Sequence, residues 1–493
     1  MSKKRYAGGL KIPFCLVIFL LLCANLQAQE TDAQASAQSQ AQNTLLTPDE
    51  AVKTAVKNNL SLESSRAGTA VKKRASDFSW NQFIPNITLG GSLIRDNKQG
   101  TTSITRPIPG TGAPFSYEGI NGLAGPQFFV SDPIDTPQWH IAGTIQASLN
   151  INLAMFENMK RLRLDYEGGL ISYEKARAQL ERDVRKAYHN MLLLQENIAL
   201  LRGSFENAGR QVQMAQANYD AGLAPELTLL QAQVARENLR PIIDQAENGL
   251  KLSMAQFAMF LGLDYNTPFE LQPVAENMDF IPIDVAQMIQ KASSAKPDIQ
   301  ELRHTILLLQ SARKTQFYSL TPSLSLSWNN NSVFIKDPWK DSWFGNSDDW
   351  NNSGSLTISL GVRLHSLIPF SADFQAVKNL DDQITTATIG LTQMIRGTEI
   401  EIYNTVLALE KTRVSAEAQT QTVKLAEQSF RLTEQAYQAG LQDYFQVQNA
   451  EQSLRQARVQ MLEQQFNYLN GLIDLEYSTG VPFGTLSSKE NQQ

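Results

Sequence analysis

Residues that could bind a metal or take part in catalysis are few in this sequence, and they are not grouped. There are four histidines in the chain: His140, His189, His304 and His365. None has a second His or a Cys at the spacing of a metal site, so we interpret them as ordinary helix, strand or loop residues. The segment Gly110-Thr111-Gly112 lacks the third glycine and the strand-to-helix setting of a phosphate-binding loop. The acidic pairs Asp348-Asp349 and Asp381-Asp382 are interpreted as solvated charge rather than a catalytic dyad. The sequence therefore predicts no enzyme, no metal site and no cofactor.

Polar residues in alternating segments indicate a different kind of site, a water-filled passage. In residues 141–153, and again in 355–364, apolar side chains alternate with polar ones, mostly Ser, Thr, Asn and Gln. Alternation places successive side chains on opposite faces of a strand, and about ten residues let a tilted strand cross a bilayer. A half-buried strand of a soluble sheet alternates as well. The candidate residues facing the lumen are Asn150, Asn152, Thr357, Ser359 and Arg363.

Aromatic residues near the ends of these segments favour the membrane over the soluble sheet, because such residues prefer the bilayer interface. They are Trp80, Phe83, Trp139, Phe156, Phe317 and Tyr318. The expected strands cover about 86–95, 140–153, 323–335 and 354–365. The connections 96–139 and 336–352 are expected to be exposed loops at the outer rim.

Long segments without proline follow the strands. No proline occurs between Pro137 and Pro225, nor between Pro369 and Pro482. This predicts helices over about 156–221 and 371–439. Each would be roughly 100 Å long at about 1.5 Å per residue, which no compact globular core requires.

Both long helices end in similar five-residue segments, Tyr219-Asp220-Ala221-Gly222-Leu223 and Tyr437-Gln438-Ala439-Gly440-Leu441. A glycine at the position after a helix end typically reverses the chain. Return helices are therefore expected over about 225–262 and 442–476. Pro241 lies inside the first, where we expect a kink or the loss of one hydrogen bond.

The order of elements occurs twice, in residues 47–275 and 276–481, with tip turns at 221–224 and 439–442. Thr47-Pro48-Asp49-Glu50 opens the first repeat as a capped helix start, and Pro282-Ile283-Asp284 opens the second. A duplication of this length indicates one architecture built from two related halves.

The two ends of the chain differ in composition from the repeats between them. Residues 1–28 have a basic start, an apolar run and a cleavage site at Ala28, which predicts a secretory signal. Residues 29–46 are read as a flexible leader and 482–493 as a polar tail. Both cysteines, Cys15 and Cys23, lie in the signal, and lipidation of Cys23 is left open. Removing the four basic residues of the signal from 43 Lys and Arg, against 49 Asp and Glu, leaves a net charge of −10, which disfavours nucleic acid as a partner.

The chain resembles the TolC-like outer membrane factors over about residues 47–480, in its duplicated order of elements and its two Tyr-x-x-Gly motifs. The resemblance implies an α+β membrane protein in which four strands per subunit form a trimeric twelve-stranded β-barrel, continued by a coiled-coil helical barrel in the periplasm. It implies a belt around the tunnel, made by the short helices near 48–58 and 284–295. It also implies a homotrimer in the outer membrane lipid of a Gram-negative-type bacterium. The function implied is the exit duct of an efflux pump or type I secretion system.

In that family the helical tip meets a periplasmic adaptor and an inner-membrane pump, of the RND or the ABC class. The adaptor-contact candidates are Ala221, Gly222, Leu223, Ala439, Gly440 and Leu441. Alignment on Gly440 places amides where family members have gating aspartates, so the periplasmic gate candidates are Gln446, Asn449, Asp443 and Tyr437. We expect a gate held by hydrogen bonds and helix packing rather than by a carboxylate ring.

An alternative reading is a periplasm-spanning coiled-coil scaffold that conducts nothing. It accounts for the helices and the signal, but not for two strands of membrane length in each half. The sequence names neither the cargo nor the class of pump.

Overall fold

The computed structural model describes residues 44–97, 101–107, 114–117, 120–124, 129–135, 137–273, 283–334, 336–343 and 347–486. The predicted signal, most of the leader and the end of the polar tail lie outside these residues.

The first repeat contains short helices, strands and one very long helix hairpin. Its helices are α1 (Pro48–Asn58), α2 (Leu60–Asp77), α3 (Leu153–Asp220) and α4 (Glu226–Phe260). Its strands are β1 (Thr44–Leu46), β2 (Asn86–Arg95), β3 (Thr101–Pro107), β4 (Pro114–Tyr117), β5 (Ile120–Ala124), β6 (Phe129–Asp135), β7 (Trp139–Ile151) and β8 (Phe269–Leu271).

The second repeat has the same order with fewer strands. Its helices are α5 (Val285–Ala295), α6 (Pro297–Tyr318), α7 (Ala372–Gln438) and α8 (Tyr444–Thr479), and its strands are β9 (Ser323–Phe334) and β10 (Trp350–Gly361). Helices α3 and α7 have 68 and 67 residues, so each extends about 100 Å. The duplicated order predicted from the sequence is confirmed.

Polar side chains at the predicted positions begin the helices. Thr47 and Glu50 form a reciprocal capping box at the start of α1. The carboxylate of Asp284 accepts hydrogen bonds from Ala286 N and Gln287 N at the start of α5. Pro241 lies within α4, which continues on both sides of it.

Four strands form one antiparallel sheet in the order β10-β9-β7-β2. Asn86 lies opposite Ser148, Ser148 opposite Ser327, and Ser327 opposite Thr357. Because every strand keeps this register, the alternating polar and apolar residues of all four strands fall on two separate faces. Strands β2 and β10 are the edges, and within the described part of the chain each has one side without a strand partner.

The connection between β2 and β7 is a paired ribbon rather than the exposed loop that the sequence predicted. Strand β3 pairs with β6 over Thr101–Pro107 and Phe129–Asp135, and β4 pairs with β5 beyond them. Asp96 N donates to Gln138 O at 2.8 Å, so the pairing begins where β2 ends. The alternation test overlooked these strands because the segment is rich in Gly, Pro and Thr.

Two buried clusters surround the middle of the long helices, one in each repeat. The first joins α1, α3 and the end of α4, and the hydroxyl of Tyr188 lies 2.7 Å from Leu46 O and 2.8 Å from Gln272 O. The second joins α5, α7 and α8 around Ile402 and Leu475. They occupy the place of the predicted belt.

Ion pairs tie the two repeats together at this level. Lys175 on α3 lies 2.8 Å from Asp298 and 2.7 Å from Glu301 on α6. Lys186 on α3 lies 2.7 Å from Asp474 on α8. The hydrogen bond from Lys175 lowers the pKa of the Glu301 carboxyl. The repeats are therefore joined by charge as well as by packing.

A glycine in α3 permits the close approach of α6. A Cβ atom on Gly168 would lie 2.8 Å from Cδ2 of His304. The His304 Nε2 in turn lies 2.6 Å from Leu164 O, where it donates to the carbonyl. The histidine therefore occupies the space that a side chain at Gly168 would need.

Both ends of the described chain are held more firmly than the sequence indicated. Residues Thr44–Leu46, assigned to a flexible leader, pair in parallel with Phe269–Leu271. In the predicted polar tail, Gly484 N and Leu486 N donate to the carboxylate of Glu476 at 3.0 and 2.7 Å. Neither contact produces an alternating or amphipathic pattern, so neither was visible in the sequence.

Candidate functional site

The polar face of the four-stranded sheet is a continuous wall of hydroxyl and amide groups, which we call the lining face. It consists of alternate residues in each strand. Its polar uncharged members are Asn86, Thr88, Ser92, Thr144, Gln146, Ser148, Asn150, Ser323, Ser325, Ser327, Asn329, Asn331, Asn351, Ser353, Ser355, Thr357 and Ser359.

Hydrogen bonds link neighbouring strands across this face. The hydroxyls of Ser325 and Ser359 lie 2.5 Å apart. Asn329 Oδ1 accepts from Ser355 N at 3.0 Å and from Ser355 Oγ at 2.6 Å. The wall is therefore ordered. Its exposed donors and acceptors are available to water, whereas Asn331 Oδ1 is buried without a hydrogen-bond partner among the described residues.

The opposite face is apolar over its inner part. Ile87, Leu89, Leu356, Ile358 and Leu360 are exposed in the protomer. An exposed apolar face of this size typically marks a surface that contacts a membrane or another protein. Toward the outer end it becomes polar at Asn330, Ser332 and Asn352, and aromatic at Phe334, Trp350 and Trp139.

Three of the five predicted lumen residues, Asn150, Thr357 and Ser359, lie on the lining face. The other two, Asn152 and Arg363, were predicted within strands, but the strands end before them at Ile151 and Gly361, and their facing a lumen stays a prediction. Asn152 follows β7 and caps α3, where its Oδ1 accepts from Met155 N at 3.0 Å. Arg363 follows β10 and precedes a short 3-10 helix at Leu364–Leu367, with its guanidinium 3.4 Å from Ser319 O.

The sequence reasoning did not name the lining residues of β9. They are Ser323, Ser325, Ser327, Asn329 and Asn331. The signal was present, because Ser and Leu alternate through Ser323-Leu324-Ser325-Leu326. The same alternation test that identified β7 and β10 would have found them.

The two hairpin tips have the same backbone. Gly222 and Gly440 have φ of 71° and 73°, which favours glycine. Leu223 N donates to Asn218 O, and Leu441 N donates to Ala436 O, both at 2.8 Å. These are the bonds of a glycine-terminated helix end, as predicted. All six tip residues named above are exposed.

Just above the turns, a cluster from all four long helices joins the two hairpins. It consists of Ala215, Leu229, Ala232, Tyr437, Tyr444 and Val447. The rings of Tyr437 and Tyr444 meet edge to face, with centroids 6.2 Å apart. Burial raises the pKa of the Tyr444 hydroxyl to about 12.

The four gate candidates have different environments. Gln446 and Asn449 are exposed on α8 and are three residues apart, so they share one face of the helix. Asp443 caps α8, since its Oδ1 accepts from Gln446 N at 3.0 Å. Tyr437 is buried in the tip cluster. The first two are free to line an opening, whereas Asp443 and Tyr437 have structural contacts in the protomer.

The histidines do not gather. His140 lies at the outer end of the lining face, 3.7 Å from Asp96, and burial lowers the pKa of His189. Within the described residues no group of three His, Cys, Asp or Glu side chains could hold a metal ion. None of the described helices is both long and apolar enough to cross a membrane.

Comparisons with known proteins agree with this geometry. Residues 51–262 match the family model described as outer membrane efflux protein. The chain is 22% identical to the alkaline protease secretion protein AprF of Pseudomonas aeruginosa over 342 residues, covering 68% of this chain and 69% of that protein.

Solved structures extend the likeness to nearly the whole chain. CusC has a TM-score of 0.67 and 16% identity, covering 91% of this chain and 96% of CusC. The Campylobacter jejuni outer membrane channel CmeC has a TM-score of 0.67 and 14% identity, covering 90% of each chain. The Vibrio cholerae outer membrane protein VceC has a TM-score of 0.65 and 13% identity, covering 88% and 96%. The duplicated fold and these likenesses make the chain similar to the outer membrane efflux protein family, whose model matches residues 51–262, and to solved outer membrane channels over nearly its whole length.

Proposed function

We propose that this chain is one protomer of an outer membrane channel-tunnel, which conducts substrates passively from the periplasm to the exterior. The observation that carries the proposal is a sheet with a polar and an apolar face, continued directly by helices about 100 Å long. A strand with one wet and one lipid face is the building block of a membrane barrel. The duct would serve an efflux pump or a type I secretion system.

The unpaired edges of the sheet support self-association. Lipid does not tolerate open sheet edges, because their backbone groups have no water to bind. Pairing the β2 edge of one copy with the β10 edge of the next satisfies both edges. Three copies would give a closed barrel of twelve strands.

Exposed apolar residues on the long helices support the same assembly. On α7 they are Ile400, Tyr403, Leu407 and Val414, at the spacing of a coiled-coil stripe. On α4 they are Leu227, Leu230 and Val234. Along their helices, at about 1.5 Å per residue, Val234 lies about 18 Å from Gly222 and Val414 about 39 Å from Gly440, so each stripe would contact a different part of a neighbouring copy. A head-to-tail ring would cover both stripes.

The tip is the proposed contact with a periplasmic adaptor, and through it with an inner-membrane pump that supplies the energy. The exposed turns at Gly222 and Gly440 end the helical hairpins, and they are the parts of those hairpins furthest from the sheet. The similarity to AprF, a protease secretion protein, supports a secretion or efflux partner of this kind.

Planar bilayer recording tests the proposal. Purified full-length protein should produce discrete, long-lived pores, whereas a non-conducting scaffold would produce none.

The same recordings test the amide gate. Micromolar multivalent cations on the periplasmic side should leave the conductance unchanged, because Gln446 and Asn449 carry no charge. Strong block of the wild-type pore would contradict the amide gate, and the double variant Gln446→Asp and Asn449→Asp should acquire block.

A further inference from the structure

The lining face carries no permanent charge along its length. Of the residues in the four described strands β2, β7, β9 and β10, only Arg95 has a permanently charged side chain. Arg95 lies opposite Trp139 at the outer end, on the apolar face, with its guanidinium 5.6 Å from the Trp139 ring centroid. The one titratable residue on the lining face is His140, also at the outer end.

Two lysines at the described outer rim are paired with aspartates. Lys336 lies 2.8 Å from Asp349, and Lys340 lies 3.4 Å from Asp337. Asp96 lies 3.7 Å from the His140 ring. The described rim nevertheless has three cations, Arg95, Lys336 and Lys340, against five carboxylates, so it keeps a net negative charge outside the strand section. The carboxylates are Asp96, Asp337, Asp341, Asp348 and Asp349.

Distance isolates the middle of the wall from the charges at either end. Ser327 lies opposite Ser148, which is eight residues from His140 along β7, about 26 Å. Ser327 also lies opposite Thr357, which is six residues before Arg363, about 20 Å. Both distances exceed the screening length of about 8 Å at physiological ionic strength.

The groups that remain solvate either sign of charge. A hydroxyl or amide can donate to an anion and accept from a cation's ligand water. Rings of charged side chains are what give channels a preference for one sign.

We propose that the strand section of the duct is a passage indifferent to charge, admitting anionic, cationic and neutral solutes alike. Selection by charge then occurs in the helical section or in the pump. This inference rests on the proposed duct function, and it concerns the wall rather than the existence of the pore.

Cysteine substitution tests it, since the mature chain after the predicted signal contains no cysteine. The Ser327→Cys protein is reconstituted in planar bilayers, and an anionic and a cationic thiosulfonate are added in turn from the extracellular side. The rate of stepwise current loss is divided by each reagent's rate with a free thiol. The two corrected rates should agree within about threefold, because only screened charges lie nearby.

Three controls make the result decisive. Leu326→Cys, on the apolar face of the same strand, should give no current change with either reagent. Adding Asn329→Asp beside Ser327→Cys should speed the cationic reagent by about tenfold, which shows that the assay senses charge. Thr144→Cys on β7 repeats the measurement if Ser327→Cys does not assemble.

Each failure has a distinct meaning. A corrected rate ratio of about tenfold or more at Ser327→Cys would overturn charge indifference and leave the duct intact. Wild-type protein that forms no pore would contradict the proposed function itself. Pores in which neither Ser327→Cys nor Thr144→Cys reacts would contradict the lining face.

Discussion

Glu476 is a single acidic residue with an unusual environment. Its side chain is only 2% exposed, and it accepts hydrogen bonds from two backbone amides of the chain end. Burial raises the pKa of its carboxyl above the ordinary 4.5, although the two amide bonds oppose that shift. The residue therefore both anchors the segment after α8 and couples its stability to pH.

The pH dependence has a definite sign. Above pH 4.5 the unfolded carboxyl loses its proton before the folded one does, so the folded state binds more protons. The contribution of Glu476 to the free energy of unfolding therefore falls as pH rises from 4.5 through the raised pKa. We expect the stability of wild type relative to Glu476→Gln to fall as pH rises through this window, measured by thermal unfolding in detergent.

The control for this prediction is Glu463→Gln, because Glu463 is an exposed glutamate on the same helix. It makes the same chemical change on the same helix without the burial of Glu476. A pH-independent difference for Glu476→Gln would show that the carboxyl titrates alike in the folded and unfolded states.

At the scale of elements, two of the glycines in α3 allow the cost of crowding a close helix contact to be compared with the gain in helix propensity. An added Cβ at Gly168 meets the His304 ring at 2.8 Å, while one at Gly203 meets nothing within 4 Å. Gly168→Ala should lower the free energy of unfolding by about 1–3 kcal/mol. The His304 ring would have to move, and its hydrogen bond to Leu164 O would be strained in the variant.

Gly203→Ala should instead raise stability by about 0.5–1 kcal/mol, since alanine is the better helix former. Both variants are compared with wild type by denaturant unfolding followed by helical circular dichroism. Equal effects of the two substitutions would mean that α6 does not press on α3 at Gly168.

At the scale of the whole molecule, the exposed stripe on α7 should hold copies together. Leu407→Asp puts a carboxylate where an apolar partner is expected, and burying an unpaired charge is costly. We expect loss of the trimer, measured by cross-linking in membranes and by light scattering in detergent. Ala408→Asp, an exposed change to the same charge one residue along and on a different face of the helix, should remain trimeric. Trimers of both variants would place the subunit contact elsewhere.

Sequence patterns predicted this fold where periodicity controls the structure. The alternation of β7 and β10 and the proline-free length of α3 and α7 identified the long elements, because these depend on local rules. The patterns were insufficient where contacts are distant. The burial of Glu476 and the ribbon β3–β6 depend on partners outside a local window. The capping role of Asn152 is local, since its partner Met155 N is three residues away, but the alternation of β7 assigned this residue to the strand instead. For the candidate site, the face of each residue followed from alternation, but the strand ends did not.

The two tip turns have one further consequence for the proposed trimer. Their backbones are nearly the same, with φ of 71° at Gly222 and 73° at Gly440. Their flanking side chains differ, since Pro225 follows the first turn and the helix-capping Asp443 the second. The ring of hairpins would thus have sixfold symmetry in its main chain but only threefold symmetry in its chemistry. A partner built from six identical units would meet two kinds of binding position in alternation, and would have to tolerate both.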